Sequence, residues 1–187
     1  MSSSIRRPSV LMAAALLVTA AFAADEPPKT VDVGVLSFQV PATWKKENPS
    51  SAMRKAQYKV DPVKGDEAAT ELAVFALPGA AGGVDANVER WQSQFKDKDG
   101  NTPKAKVTKV KGQNTDVTLV EIAGHWFPPP FPGLPRQPDV PGARFLGAIV
   151  LTGDTGYYIR LVGPEKTVDS ARADYDKLIT SIKVAGK

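Results

Sequence analysis

The sequence contains no cysteine and a single histidine, His125, among its 187 residues. Without cysteine the chain forms no disulfide, and it carries no lipid on a modified cysteine. A tetrahedral zinc site or a copper site needs several thiolate or imidazole ligands, which this composition does not supply. We therefore expect no metal site and no cofactor.

A long apolar run occurs only near the N-terminus, where residues 10–23 read VLMAAALLVTAAFA. The run follows Arg6 and Arg7, and Ala21 and Ala23 form an A-x-A cleavage site, a combination typical of a secretory signal peptide. The rival interpretation is a membrane anchor, but a helix that crosses the membrane needs roughly 18–20 apolar residues, and the run at residues 10–23 is shorter than that. We predict a signal peptide over residues 1–23 and export to the periplasm or the extracellular space, with no membrane span after processing.

The charge balance shows no large excess of one sign. Cleavage removes Arg6 and Arg7 and lowers the formal net charge from +4 to +2. Domains that bind nucleic acid usually carry a much stronger basic excess. We therefore expect no nucleic acid partner.

Motifs of catalysis are scarce. A Ser–His–Asp triad would depend on His125, and no G-x-S-x-G sequence is present. The DTG sequence at residues 154–156 occurs once, whereas an aspartic protease needs two such carboxylates. DKDGN at residues 97–101 begins like an EF-hand loop but lacks the glycine at position six and the glutamate at position twelve. We favour a non-enzymatic protein and keep a hydrolytic enzyme with dispersed carboxylates, such as Glu71 or Glu121, as the alternative.

Hydrophobic periodicity predicts both strands and helices. Apolar alternation predicts seven strands, at residues 36–40, 56–60, 71–77, 106–110, 116–127, 143–152 and 157–163. Helical spacing relates Val84, Val88, Trp91 and Phe95, and it recurs over residues 167–184, where Thr167 is the expected N-cap. The order of these elements predicts the α+β class, with an antiparallel sheet of about six to seven strands covered by helices.

The chain after the signal peptide has no internal repeat and no linker long enough to divide it. We predict a polar lead-in at residues 24–30 and a single domain over residues 31–187. Four lysines crowd the predicted strand near residue 106, and this favours an edge strand guarded by lysine over a surface that attracts anions. These lysines are Lys104, Lys106, Lys109 and Lys111.

Three segments resemble the PsbP-like family. They are LSFQVPATW at residues 36–44, the predicted mid-chain helix with Trp91, and YYIRLVGPEKTVDSARADYDKLITSIK at residues 157–183. The resemblance implies a PsbP-like α-β-α sandwich, a fold shared with a Ran-binding nuclear import factor and with exported bacterial proteins of uncharacterised function. It also implies a non-enzymatic domain that binds or stabilises a partner, either a protein or a component of the cell envelope.

The segment GHWFPPPFPGLPRQPDVPGARF, residues 124–145, holds seven of the 16 prolines. A Pro-rich loop at residues 128–141 is far longer than an ordinary hairpin connection, and such loops are commonly functional. Its PPPFP run favours the polyproline II conformation that aromatic grooves recognise. The alternative is that the loop folds back and covers the sheet. The candidate binding residues are His125, Trp126, Phe127, Phe131 and Arg136.

Overall fold

The computed structural model describes residues 26–130 and 136–186. The predicted signal peptide and the candidate residue Phe131 therefore lie outside the described residues. The described strands are β1 (Lys29–Val33), β2 (Leu36–Val40), β3 (Lys45–Glu47), β4 (Arg54–Val60), β5 (Thr70–Pro78), β6 (Phe95–Lys96), β7 (Lys106–Lys111), β8 (Asp116–Trp126), β9 (Val140–Thr152), β10 (Thr155–Pro164) and β11 (Lys183–Val184). The described helices are α1 (Gly83–Gln92), α2 (Glu165–Ser170) and α3 (Arg172–Ser181), and a 3₁₀ turn, Gly79–Gly82, precedes α1.

The main sheet is antiparallel and has eight strands in the described part of the chain. Its order is β3-β4-β5-β10-β9-β8, and both β6 and β7 pair with the outer side of β8. The predicted α+β class with an antiparallel sheet is confirmed. The sheet exceeds the predicted six to seven strands because β3 and β6 are three and two residues long. Segments this short carry too few residues to show an alternating pattern.

A small sheet and two helices cover the first face of the main sheet. Strands β1 and β11 pair antiparallel with β2 on either side, and α3 packs against β2. Together with the main sheet these elements enclose the first core, a continuous apolar cluster. Its largest fully buried side chains include Phe38, Leu72, Ile159, Tyr175 and Leu178. The resulting layer order, with helices on both sides of a sheet, is the sandwich that the sequence predicted.

Helix α1 covers part of the second face of the main sheet. The second core beneath it contains Trp91, Phe95, Trp126, Phe145 and Tyr158. The ring centroids of Trp91 and Phe145 are 4.9 Å apart, and those of Trp91 and Tyr158 are 6.3 Å apart with nearly perpendicular planes. Trp91 is 3% exposed, so its predicted place in the core is confirmed.

The first predicted helix is shorter than expected. It ends at Gln92, and Phe95 lies in β6, where it pairs with Trp126. Phe95 is nevertheless fully buried in the same core as Trp91. The helical spacing therefore predicted correctly that Phe95 is buried, but it was wrong about the backbone conformation. An apolar residue at this position can be buried either on a helix or on a strand, and the spacing does not distinguish the two.

The predicted C-terminal helix over residues 167–184 is two helices, divided at Ala171, followed by strand β11. Thr167 is not the N-cap: it lies inside α2 and is completely buried. Asp66, from the connection between β4 and β5, accepts hydrogen bonds from the Thr167 backbone N–H (2.9 Å) and from its hydroxyl (2.7 Å). A carboxylate from a distant part of the chain thus satisfies a free N–H at the start of α2.

Strand β1 begins at Lys29, so the last two residues of the predicted lead-in belong to the small sheet. Strand β7 pairs with β8 and lies at an edge of the main sheet, as its lysines predicted. Its side chains are largely exposed. Charged side chains at such an edge oppose pairing with a second chain.

Candidate functional site

The predicted site residues next to the Pro-rich loop lie on two sides of the sheet. His125 and Phe127 stack with ring centroids 4.3 Å apart and planes 9° from parallel, and Phe127 is 36% exposed. Trp126 belongs to the second core, and its Nε1 donates a hydrogen bond to Oε1 of Gln94 (3.3 Å). Because successive side chains of a strand alternate between faces, Trp126 does not share a surface with His125 and Phe127.

One described end of the Pro-rich loop lies against the protein, and the other is exposed. Pro128 is buried, and Pro129 is half-buried beside Trp91. At the other end Arg136 is exposed and forms an ion pair with Asp139 (3.6 Å). The structure therefore brings together His125 and Phe127 among the predicted site residues, and it places Trp126 and Arg136 elsewhere.

A different set of residues forms a cavity at the base of the Pro-rich loop, on the second face of the main sheet. We call it the Trp91 cleft. Its volume is about 190 Å³. Strands β5 and β10 form its floor, α1 one wall, and Met53 and Pro129 its rims. The lining residues are Met53, Phe75, Leu77, Asn87, Arg90, Trp91, Gln94, Pro129, Tyr158 and Arg160.

Gly147 fixes how closely α1 approaches the sheet beside this cleft. A Cβ atom at Gly147 would lie 2.6 Å from the Trp91 indole and 2.6 Å from the Phe145 ring. These distances are too short for any side chain, so glycine in mid-strand lets the indole lie directly on the backbone of β9. The lack of a side chain at Gly147 therefore sets how closely Trp91 packs against the sheet.

The segment that leads into α1 adopts an unusual backbone. Ala80 (φ 53°) and Ala81 (φ 42°) both have left-handed conformations, which cost side-chain-bearing residues about 1 kcal/mol or more. The side chain of Asn87 donates hydrogen bonds to the carbonyls of Ala81 (3.2 Å) and Gly83 (2.6 Å), and the Tyr158 hydroxyl donates to the carbonyl of Ala80. Two residues that line the cleft thus hold this strained turn in place.

Arg160 lies on the floor of the cleft. Its guanidinium carbon is 4.6 Å from the centroid of the Phe75 ring, a cation–π distance. Its Nε is buried and has no hydrogen-bond partner among the described residues, and no carboxylate of those residues is within ion-pair distance of it. Burial, together with repulsion by Arg54, lowers the pKa of Arg160 to about 10, against the opposing attraction of Glu71. Arg160 therefore remains positively charged at neutral pH.

Arg54 and Arg90 differ in how their charges are matched. Arg54 is buried, and its guanidinium pairs with Glu71 at 2.7 Å and donates to Gln57 Oε1 at 3.0 Å. Arg90, on α1, donates to Asn87 Oδ1 at 2.7 Å and forms no ion pair with the described residues. The lining of the cleft contains Arg90 and Arg160 and no carboxylate. Its described surface is therefore both apolar and cationic.

The carboxylates of the hydrolase alternative are both ion-paired, and they lie on opposite faces of the main sheet. Glu71 pairs with Arg54 on the second face. Glu121 accepts hydrogen bonds from Arg144 (2.6 Å) and Arg172 (2.7 Å) on the first face. Burial by itself raises the pKa of Glu121, but the hydrogen bonds from Arg172 and Arg144 outweigh it and the pKa is lowered. A general acid needs the opposite shift.

Comparison of this chain with known proteins establishes its fold and no more. No model of a protein family and no curated protein matches the sequence. Among solved structures, the chain is similar to cyanobacterial PsbP (CyanoP) from Synechocystis, with 11% identity and a TM-score of 0.53, over 90% of this chain and 98% of that one. The fold is PsbP-like. A protein from Bacteroides thetaiotaomicron is similar over 88% of this chain and 50% of its own, with 11% identity and a TM-score of 0.50.

The PsbP-like fold confirms the architecture that the sequence resemblance implied. At 11% identity the likeness supports no transfer of individual residues. None of the helices in residues 26–130 and 136–186 has both the length and the apolar character needed to cross a bilayer. In the same residues, no three His, Asp or Glu side chains come together as a set of metal ligands.

Sequence reasoning missed Arg90 and Arg160 as site residues. The signal for Arg160 was present in YYIRLVG, where a charged residue interrupts a strand that is otherwise apolar. A strand covered on both faces is normally apolar at every position, so an arginine in its middle marks a polar site. Arg90 gave no such signal, because an arginine on an amphipathic helix is ordinary.

Proposed function

We propose that the protein is an exported, non-enzymatic binding module that captures a side chain of a partner, a protein or an envelope component, in the Trp91 cleft. One observation carries the proposal: within the described residues, the second face of a well-packed sheet contains a cavity with aromatic walls. Anchor side chains that enter such cavities contribute much of the free energy of protein–protein association.

The size of the cleft favours a single side chain as its occupant. Sites for drug-sized molecules usually measure about 300–1,000 Å³, well above the roughly 190 Å³ of the cleft. Met53 is 48% exposed at its rim and supplies apolar surface at the opening. A protein partner would cover this rim while one of its residues fills the cleft.

The hydrolase alternative lacks a comparable observation. Glu71 and Glu121 lie on different faces, and each is held by at least one arginine. Hydrolysis with paired carboxylates needs both groups on the same substrate. We therefore prefer the binding module.

Capture from the cell envelope tests the proposal. Mature protein, immobilised through its C-terminus, is incubated with an envelope extract of the organism that produces it, and bound proteins are identified by mass spectrometry. Met53→Asp places a charge at the rim of the cleft and is expected to abolish capture of the specific partner. Val35→Asp is the matched control, since Val35 is 45% exposed in the turn between β1 and β2, away from the cleft.

Both variants should melt within a few degrees of the wild type, because both side chains are largely exposed. A partner that binds the wild type and Val35→Asp but not Met53→Asp supports the proposal. Equal capture by all three proteins would refute the role of the cleft.

A further inference from the structure

We infer that the Trp91 cleft binds the C-terminal residue of a partner protein, with its carboxylate on Arg160 and Arg90 and an apolar side chain against Trp91. The inference deepens the proposed function, on which it rests, by naming the chemistry of the occupant. It is carried by two guanidinium groups that share a cavity without any carboxylate among the described lining residues.

The charges around the cleft are not balanced. The ion pair between Arg54 and Glu71, at 2.7 Å, uses the carboxylate that lies nearest to this part of the sheet. Arg160 and Arg90 have no matching anion in the described residues. Arg90 is exposed and donates to Asn87 Oδ1, whereas Arg160 is half-buried, and a half-buried cation is costly unless an anion or hydrogen-bond acceptor reaches it. A carboxylate ligand supplies both.

The geometry of Arg160 is suited to a planar anion. The Phe75 ring lies 4.6 Å from the guanidinium carbon and restricts how the side chain can move. An arginine held in this way loses little conformational freedom when it binds, and its fork of N–H donors matches the two oxygens of a carboxylate.

The neighbouring walls require an apolar group on the same ligand. Phe75, Leu77, Trp91 and Tyr158 line the cleft beside Arg160, within a cavity of about 190 Å³. A C-terminal residue carries a carboxylate and an apolar side chain on a single Cα atom, and so reaches both surfaces. The side chain of glutamate or aspartate brings a carboxylate without an apolar group of comparable size.

Titration with short peptides tests the inference. The probes are acetyl-Gly-Gly-Phe with a free carboxylate, the same peptide with a C-terminal amide, and acetyl-Gly-Glu-Gly-amide, whose carboxylate belongs to a side chain. Binding is followed by NMR through the indole N–H signal of Trp91, assigned by its loss in Trp91→Phe. We expect the free acid to bind at least about tenfold more tightly than the amide, because charge-assisted hydrogen bonds are lost in the amide. We expect weaker binding of the glutamate peptide as well.

Arginine variants identify the groups responsible. Arg160→Gln is expected to remove the preference for the acid, and Arg90→Gln, an exposed site that tolerates substitution, is expected to reduce it several-fold. Arg160→Lys keeps the charge but not the fork, and should restore part of the preference. Arg172→Gln, on the opposite face of the sheet, is the control that should leave it unchanged.

The outcomes separate the inference from the proposed function. If acid and amide bind equally, or if the glutamate peptide binds best, the inference is wrong, even where Met53→Asp abolishes capture and the proposed function stands. If the acid is preferred in the wild type and in Arg172→Gln but not in Arg160→Gln, the inference holds, even where no envelope protein is captured. If none of the three peptides shifts the Trp91 signal, the inference is wrong.

Discussion

The two faces of the main sheet are closed in different ways. The first face is covered by a second sheet and by α2 and α3, and its large core side chains are fully buried. At its rim Arg144 pairs with Glu121, Asp169 and Glu165. The second face is covered by one ten-residue helix and, at Pro129, by one end of the Pro-rich loop, and it retains a cavity whose two arginines have no ion-pair partner among the described residues.

The two faces of one sheet therefore have different roles: the first contributes mainly to folding stability, and the second carries the proposed binding site. Folding free energy is a small difference between large terms, so a face that is fully apolar contributes most when it is completely covered. A cavity with polar groups on a covered face lowers the folding free energy that burial of that face would contribute. Such a loss of stability is typical of binding sites, where residues are suited to a ligand and not to core packing.

The largest expected effect comes from removing Trp91, which tests whether the second face is a packed core around its cleft. If the second face is a true core around its cleft, Trp91→Ala should lower the free energy of unfolding by about 3–5 kcal/mol, because a 3% exposed indole leaves a large void. Urea unfolding followed by circular dichroism gives this value. Leu178→Ala on the first face should cost a similar amount, about 2–5 kcal/mol. A loss below about 1 kcal/mol for Trp91→Ala would mean that the indole belongs to a surface.

A second test adds volume where Trp91 meets the sheet. Gly147→Ala should destabilise the protein by about 1–3 kcal/mol, since its Cβ would overlap the indole and the Phe145 ring. The same substitution in a Trp91→Leu background should cost less, because the smaller side chain leaves room for the methyl group. Unfolding of the four proteins in a double-mutant cycle measures the coupling. Additive costs would contradict the close approach of helix and sheet.

A third test uses pH to probe the matched charges on the first face. Because the folded-state pKa of Glu121 is lowered, its ion pairs stabilise the protein above the unfolded-state pKa of 4.5, and this stability is lost as the pH falls through the folded-state pKa. Glu121→Gln should cost about 1–2 kcal/mol at pH 7 and less at pH 3. Unfolding curves at both pH values measure the difference. An equal loss at both pH values for Glu121→Gln would contradict the ion-pair account.

The smallest expected effect on stability is that of Phe127→Ala, which contrasts with the effect of replacing its neighbour Trp126. Phe127→Ala should change stability by about 0.5 kcal/mol or less, because the side chain is 36% exposed and stacks on His125 at the surface. Because Phe127 and the Trp91 cleft lie on different sides of the sheet, capture through the cleft alone should be unaffected, whereas the sequence-based prediction that Phe127 binds the partner requires weaker capture. Trp126→Ala is the contrasting variant, with a large loss of stability from the second core. Unchanged capture by Phe127→Ala would remove Phe127 from the binding surface.

Much of the fold was accessible from the sequence because strands with alternating side chains carry their own signal. Strands β2, β4, β5, β7, β8, β9 and β10 were located within a few residues of their observed bounds. Strand β1 was not predicted and begins inside the expected lead-in, and β3, β6 and β11 were missed because segments of two or three residues are defined by their neighbours. The assignment of Phe95 to a helix failed for the same reason, as its pairing partner, Trp126, is 31 residues away in the chain.

The candidate site was only partly accessible. One end of the predicted Pro-rich loop lies beside the cleft, where Pro129 belongs to its lining. The residues singled out there were neighbours in sequence, whereas the lining of the cleft comes from β5, α1, β10 and the segments around Met53 and Pro129. Periodicity reports whether a residue is buried, and it carries no information about which distant residues share a cavity.

The sequence by itself determined the α+β class and the absence of disulfides, because these depend on composition and on the spacing of apolar residues along a strand or helix. Tertiary structure alone decided that Arg54 finds a carboxylate while Arg160, on a neighbouring part of the same face, finds none among the described residues. Whether a charge is matched depends on which side chains meet across strands, and that is fixed by register and packing over the whole chain.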